Sequence, residues 1–333
     1  MTAAVAVTPA LLDAVAPPER RGVARDAVRM LVTDRRARVN RHARFYDMPS
    51  FLAAGDVVVV NDSATLPAAI TARRSNGQSL KLHLSTMIGG DLWMVEPRGV
   101  VTAGETLQLA GDASAVMLAP ADATRPRVWY ASFRLPITML AYLMKHGEPI
   151  RYQYLHERFP LEDYQTIFAR QPGSSEMPSA ARPFTARVVA ALERRGVQIA
   201  AITLHCGVAS FEKPEHPSIE RFSVSHETAR QVNSARAHGN RVIAVGTTSL
   251  RALETAWHDG EISASSGWTD LVFDERSAIR SVDGLLTGFH DEASTHESLL
   301  HAFLNKDLLS TAYVEAAECG YYQHEFGDAH LIL

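Results

Sequence analysis

Four consecutive valines closed by Asn-Asp, in the stretch GDVVVVNDSATLP (Gly55–Pro67), place the tightest limit on the fold. Successive side chains on a strand point to opposite faces, so an unbroken apolar run must be covered on both. The stretch therefore reads as a strand buried on both faces that ends in a polar turn. After it the texture changes. From Ala68 to Pro136 short strand candidates alternate with Gly, Asn and Asp: AAITARR, SLKLHLSTM, DLWMVEPRG, ETLQLAG, SAVMLAP and RVWYASFRL. Short strands at such spacing predict a small β-barrel or sandwich.

From Leu135 onward helix and strand patterns alternate. TARVVAALERRGVQIAAITLHC gives a helix with Val188, Val189 and Leu192 on one face, a stop at Gly196 and a strand from Gln198 to His205. HETARQVNSARAHGNRVIAVGTTSLRALETAWHDG repeats helix, Gly stop, strand and helix. SVDGLLTGFHDEASTHESLLHAFLN adds an apolar segment, a polar turn and another helix. The expected fold is mixed α/β. A larger α/β layer domain spans 1–67 and 137–333, and a small β-barrel domain over 68–136 is inserted into it.

A chain of 333 residues, 46% hydrophobic and 21% charged, can bury two moderate cores. The formal net charge of -4 advertises no polyanion partner, so any nucleic-acid surface must be a local basic patch. Two cysteines, Cys206 and Cys319, make neither a metal quartet nor a disulfide framework, which suits a reducing cytoplasm. The opening MTAAVAVTPALLDAVAPPERRG has no basic n-region, and Asp13 interrupts it short of a membrane span. It reads as a poorly ordered leader on a cytoplasmic protein with no membrane partner.

The stretch RVIAVGTTSLRALETA (Arg241–Ala256) turns at Gly246 from a β-branched strand into a helix. Thr247 or Thr248 can cap that helix, Leu250, Leu253 and Trp257 have burial spacing, and Arg251 and Glu254 form an i, i+3 pair. The same turn offers free N–H groups and hydroxyls to an anionic ligand group. His205 in TLHCGVASF and His290 in GLLTGFHDEAST each follow an apolar strand pattern. Histidines there can be general acids or bases, or simply hydrogen-bond their neighbours. A metal site is disfavoured. His290, His296 and His301 are near in sequence, but no H-E-x-x-H and no i, i+4 histidine pair occurs. G-x-G-x-x-G, G-x-x-x-x-G-K-[ST] and G-x-S-x-G are also absent.

Several stretches together resemble one family, the S-adenosylmethionine:tRNA ribosyltransferase-isomerases of the queuosine pathway. They are FYDMPSFLAAGDVVVVNDSATLPA, EDYQTIFA, TLHCGVASF, RVIAVGTTSLRALE, LLTGFHDEAST and the closing FGDAHLIL, in family order over nearly the whole chain. The resemblance implies two domains with an inserted barrel. It also implies S-adenosylmethionine as a substrate rather than a resident cofactor. In that reaction the ribosyl carbons pass to 7-aminomethyl-7-deazaguanine in a tRNA anticodon and rearrange to give epoxyqueuosine, while adenine and methionine leave. Its chemistry needs a base for the acidified C5′ proton and help for departing adenine. His205 and His290 are the candidates for that proton traffic. Gly246, Thr247, Thr248 and Ser249, with Arg251, could hold the methionine carboxylate or ribose hydroxyls. Asp62 and Asp328 could bind ribose hydroxyls or the methionine ammonium, and Tyr164 and Phe211 could stack on adenine.

The motifs also depart from the family pattern. Where it usually reads A-P-T-A-G-L-H-F-T, this chain has EMPSAARPFT, so a histidine becomes Pro183 and a glycine Ala181. Arginines become Ala64 and Ala69, a lysine becomes Ala293, His226 is shifted by one position, and acids stand at Asp291, Glu292 and Glu325. Phosphate neutralisation supplies much of the affinity for RNA, so these losses bear on the acceptor. Three readings follow: the family enzyme, a relative that uses S-adenosylmethionine with a small acceptor or none, or a non-catalytic binding protein. A monomer and a homodimer formed through the barrel both fit.

Overall fold

The computed structural model describes residues 10–122, 125–208, 218–290 and 295–333. The valine run forms the strand Val57–Asn61 near the centre of a nine-stranded sheet. From one edge the order is Ser265–Thr269, Glu220–Val224, Gln198–Leu204, Val57–Asn61, Val242–Val245, Gly284–Gly288, Ala329–Ile332, Arg29–Asp34 and Val39–Arg44. The four strands from Gln198–Leu204 to Gly284–Gly288 run parallel, and the flanks are mixed. Val57 and Val59 belong to the apolar cluster under the helices His226–Ala237, Gly246–Thr255 and Lys306–Glu318. Val58 and Val60 belong to the cluster on the other face, with the helix Ala186–Arg194. Each fully buried valine contributes about 1.5–3 kcal/mol, so the run strongly favours this two-sided placement. Mixed α/β architecture is therefore observed.

The six short segments after Pro67 are strands: Ala69–Arg73, Ser79–Gly89, Leu92–Pro97, Thr106–Gln108, Ser114–Asp122 and Arg125–Arg134. They close into a barrel around Leu80, Leu82, Leu84, Val95, Leu107 and Met117. The helix Met139–His146 packs Tyr142 and Leu143 into the same cluster. The chain returns through Gly147, where an added Cβ would meet the Pro67 carbonyl oxygen at 2.0 Å. Only glycine allows that close crossing of the outgoing and returning chain.

One expectation at the N-terminus is corrected. Residues 1–9 lie outside the described residues, but from Ala10 the segment is structured. Leu12–Asp13 pairs in parallel with Tyr322–Gln323, and Ala14 is buried against the cluster of Leu155, Phe159, Tyr164 and Phe326. Apolar contact at Ala14 and backbone pairing hold the segment in place. No described helix is long and apolar enough to cross a membrane.

Candidate active site

The register of the parallel strands brings their C-terminal ends to one edge: Asn61 lies opposite Ile202, Ala244 opposite Val59, and Leu286 opposite Val245. Asp62, His205, Gly246–Thr248 and His290 all follow directly from that edge, where α/β sheets characteristically bind ligands. His205 and His290 stand three strands apart, roughly 14 Å at ordinary strand spacing.

Asn61, fully buried, ties the edge together. Its Nδ2 donates to the Leu204 carbonyl at 2.8 Å and to Thr248 Oγ1 at 3.3 Å. Its Oδ1 accepts from Leu204 N at 3.0 Å and Ser63 N at 3.1 Å. Asp62 then takes a hydrogen bond from Thr203 Oγ1 at 2.6 Å, while its backbone carbonyl accepts from Arg170 N and Gln171 N.

His205 is held on one side. Its Nδ1 lies 2.8 Å from Ser63 Oγ, which lies 2.6 Å from Ser174 Oγ. Gly173 lies against the imidazole, so close that an added Cβ would come within 2.3 Å of Nδ1. Burial, and then the Arg221 guanidinium, lower the His205 pKa, with Asp62 opposing. The ring is therefore neutral at neutral pH. It lines a cleft of about 150 Å³ with Leu66, Thr86, Trp93, Met139 and Arg221.

His290 has its Nε2 3.0 Å from Thr287 Oγ1 and stacks on His296 with ring centroids 4.6 Å apart. Burial first, then the neighbouring His296, His324 and His330, hold its pKa well below the ordinary value. Among the described residues no group of three or more His, Cys, Asp or Glu could hold a metal ion. The strand before His290 also borders a second, narrow cleft of about 20 Å³, lined by Thr287, Gly288, Arg25, Arg182, His324 and Glu325.

Several expected roles change on inspection. The helix Gly246–Thr255 is capped by Val245 with no side-chain bond, and neither Thr247 nor Thr248 caps it. Thr248 instead accepts from Asn61. Ser249 and Arg251 point inward, at 0% and 8% exposure. Arg251 pairs with Glu220, not Glu254, and Glu254 accepts from Arg280 N and Ser281 N. The i, i+3 spacing allowed the pair, but the buried Glu220 carboxylate is the stronger attraction. Glu220 also accepts from Gly207 N at 2.8 Å, so Arg251 steadies the turn after His205, while its Nη2 is buried without a partner among the described residues.

Asp328 uses both carboxylate oxygens on backbone amides, of Arg29 at 2.7 Å and Tyr322 at 2.8 Å. Tyr164 is 5% exposed with its ring 5.3 Å from Phe326, and its place is in a packed cluster. Phe211 lies outside the described residues. Ser63, Gly173, Ser174, Trp93 and Arg221 were not singled out by sequence reasoning. Ser63 adjoins Asp62 in the quoted motif, so position alone could have raised it; Gly173 and Ser174 carry no motif of their own.

The model of the family described as "Queuosine biosynthesis protein" matches residues 8–332. The chain belongs to the queuosine biosynthesis protein family. Among curated members, S-adenosylmethionine:tRNA ribosyltransferase-isomerase of Moorella thermoacetica is 36% identical, over 93% of this chain and 94% of its own. The Thermotoga maritima protein of that name is 34% identical over 93% of each. A crystal structure of S-adenosylmethionine tRNA ribosyltransferase from Thermotoga maritima covers 93% of both chains at 30% identity with a TM-score of 0.53. Two departures from the queuosine biosynthesis pattern noted above, Pro183 and Glu325, line the narrow second cleft together.

Proposed function

We propose that the protein transfers the ribosyl moiety of S-adenosylmethionine to 7-aminomethyl-7-deazaguanine in tRNA and isomerises it to epoxyqueuosine, releasing adenine and methionine. The observation that carries this reading is the strand edge that aligns Asp62, His205, Thr248 and His290, in a chain matched to the family along nearly its whole length. S-adenosylmethionine lies along that edge as substrate. Asp62, exposed in part beside His205, takes a ribose hydroxyl, and the Gly246–Thr248 turn offers N–H and hydroxyl donors to the methionine carboxylate.

The sulfonium acidifies the C5′ protons, and a neutral imidazole is the form that accepts one. His290, held neutral by burial and by its histidine neighbours, suits that role. Residues 68–136 act as an inserted barrel domain that walls the cleft through Thr86 and Trp93, a reading supported by the single outward and return crossing at Pro67 and Gly147. The partner is a tRNA anticodon stem reached from the same edge.

The test is product release by the purified protein with S-adenosylmethionine, with and without an anticodon hairpin carrying the modified base. Adenine and methionine released only with the hairpin support the reading. Release without it supports a small or absent acceptor. His205→Ala and His290→Ala should each slow hairpin-dependent release by at least about 100-fold; wild-type rates in both would remove them from the chemistry.

A further inference from the structure

The cleft beside His205 contains polar groups that the reaction as described leaves without a task. Trp93 lines it at 4% exposure, and its indole Nε1–H is buried with no acceptor among the described residues. Buried indole N–H groups ordinarily have partners, so an orphan in a cleft wall calls for a ligand acceptor.

The tautomer of His205 follows from a chain of hydroxyls. Cys206 N donates to Ser174 Oγ at 2.9 Å, which leaves the Ser174 proton for Ser63 Oγ and the Ser63 proton for His205 Nδ1. In the reverse direction Ser174 Oγ would receive two donors while its own buried proton lost its only acceptor. Ser63 Oγ also has the Gln171 carbonyl at 3.5 Å, but the 2.8 Å contact with Nδ1 is much the shorter, and this makes Nδ1 the acceptor and puts the histidine proton on Nε2. Ser63 and Ser174 are positioning residues for this donor.

The side chains that line the cleft thus carry donors: an indole N–H buried in its wall, the imidazole Nε2–H and the Arg221 guanidinium. Thr86 Oγ1 donates to the Ile219 carbonyl at 3.4 Å, so its oxygen lone pairs remain to accept. Leu66, Met139 and Leu143 supply apolar wall. We propose that this cleft is the adenine subsite, with ring nitrogens accepting from Trp93 and His205 and the exocyclic amine donating to Thr86. Adenine linked through N9, as in S-adenosylmethionine, offers three ring acceptors and one donor group, which complements this lining. A 7-deazaguanine has carbon in place of N7 and a donor-bearing N1 and N2 edge, which meets donors with donors. Hydrogen bonds to the ring would also ease its departure as a leaving group, and here the inference rests on the ribosyl-transfer reading.

The test is equilibrium binding of free adenine to the full-length protein, independent of turnover. Adenine should compete with S-adenosylmethionine and should bind at least about 5-fold more weakly to Trp93→Phe. Leu140→Trp, at a mouth position 44% exposed and so tolerant of substitution, should block the cleft and weaken adenine more than Trp93→Phe does. Ser63→Ala should shift the His205 ring signals in ¹⁵N spectra away from the Nε2–H tautomer. No adenine binding by the wild type, or unchanged adenine affinity in both Trp93→Phe and Leu140→Trp, would overturn the subsite. Hairpin-dependent turnover alongside that negative would leave the proposed function standing, whereas cleft-dependent adenine binding without turnover would remove the function and keep the pocket.

Discussion

At the residue scale, the site depends on a few buried polar groups whose partners are fixed. Removing Arg251 leaves the Glu220 carboxylate buried beside Gly207 without its cation, so Arg251→Met should cost about 3–5 kcal/mol in a denaturant titration. Replacing both partners together should cost less than the sum, because no lone charge remains. Asp328→Ala orphans two backbone amides and should destabilise by about 2–4 kcal/mol, with turnover per folded molecule close to wild type. A loss of turnover without loss of stability would restore Asp328 to the ligand site. These residues also show what sequence could not give. His205 and His290 are singled out because each stands at the end of a strand pattern, and Asp62 because its motif resembles the family's. Arg251 and Asp328 sit in equally specific motifs, yet their partners are Glu220 and two backbone amides far away in sequence, and no local spacing encodes such pairs. Ser63 and Ser174 meet only when the chain returns from the barrel, over 100 residues after it left.

At the scale of elements, strands and turns place the reacting groups. The valine run announced its own central strand, and the six barrel strands announced themselves by alternation and Gly-rich spacing. The order of the nine-stranded sheet was hidden, because pairing such as Arg29–Asp34 with Ala329–Ile332 joins the two ends of the chain. The Gly246 helix entrance was legible as a turn but not as an uncapped one: its φ of +83° lets the chain swing into the helix without a side-chain cap. Gly173 offers a sharper test. Any Cβ there strikes the His205 ring, so Gly173→Ala should displace the imidazole from Ser63 and slow hairpin-dependent adenine release at least about 10-fold. Wild-type kinetics in that variant would show that His205 position does not limit the reaction.

At the scale of the whole molecule, buried ionisable groups set the response to pH. Glu325 is hydrogen-bonded by Tyr154, and burial pushes its carboxyl pKa up to about 7. A raised folded-state pKa means that the folded protein binds the proton more tightly than the unfolded chain. Glu325 therefore lowers stability progressively as pH rises from about 4.5 to about 7. Glu325→Gln should gain stability relative to wild type across that window, by roughly 2 kcal/mol after allowance for its partial exposure. His205, His290, His296 and His330 act in the opposite sense, because burial lowers each pKa and the unfolded chain takes up their protons first. Their contribution is lost as pH falls below about 6.5. A Glu325→Gln advantage that does not grow between pH 4.5 and 8 would show that this carboxyl is not held in its buried, neutral form.

The most direct test of the central claim is the intact mass of the modified hairpin after incubation with the protein and S-adenosylmethionine labelled with ¹³C in all five ribosyl carbons. Ribosyl transfer with isomerisation predicts that the RNA gains the mass of an epoxycyclopentanediol group carrying all five labelled carbons, with adenine and methionine released in equal amount. Unchanged RNA, with label retained in S-adenosylmethionine or passed to a small molecule, would contradict it.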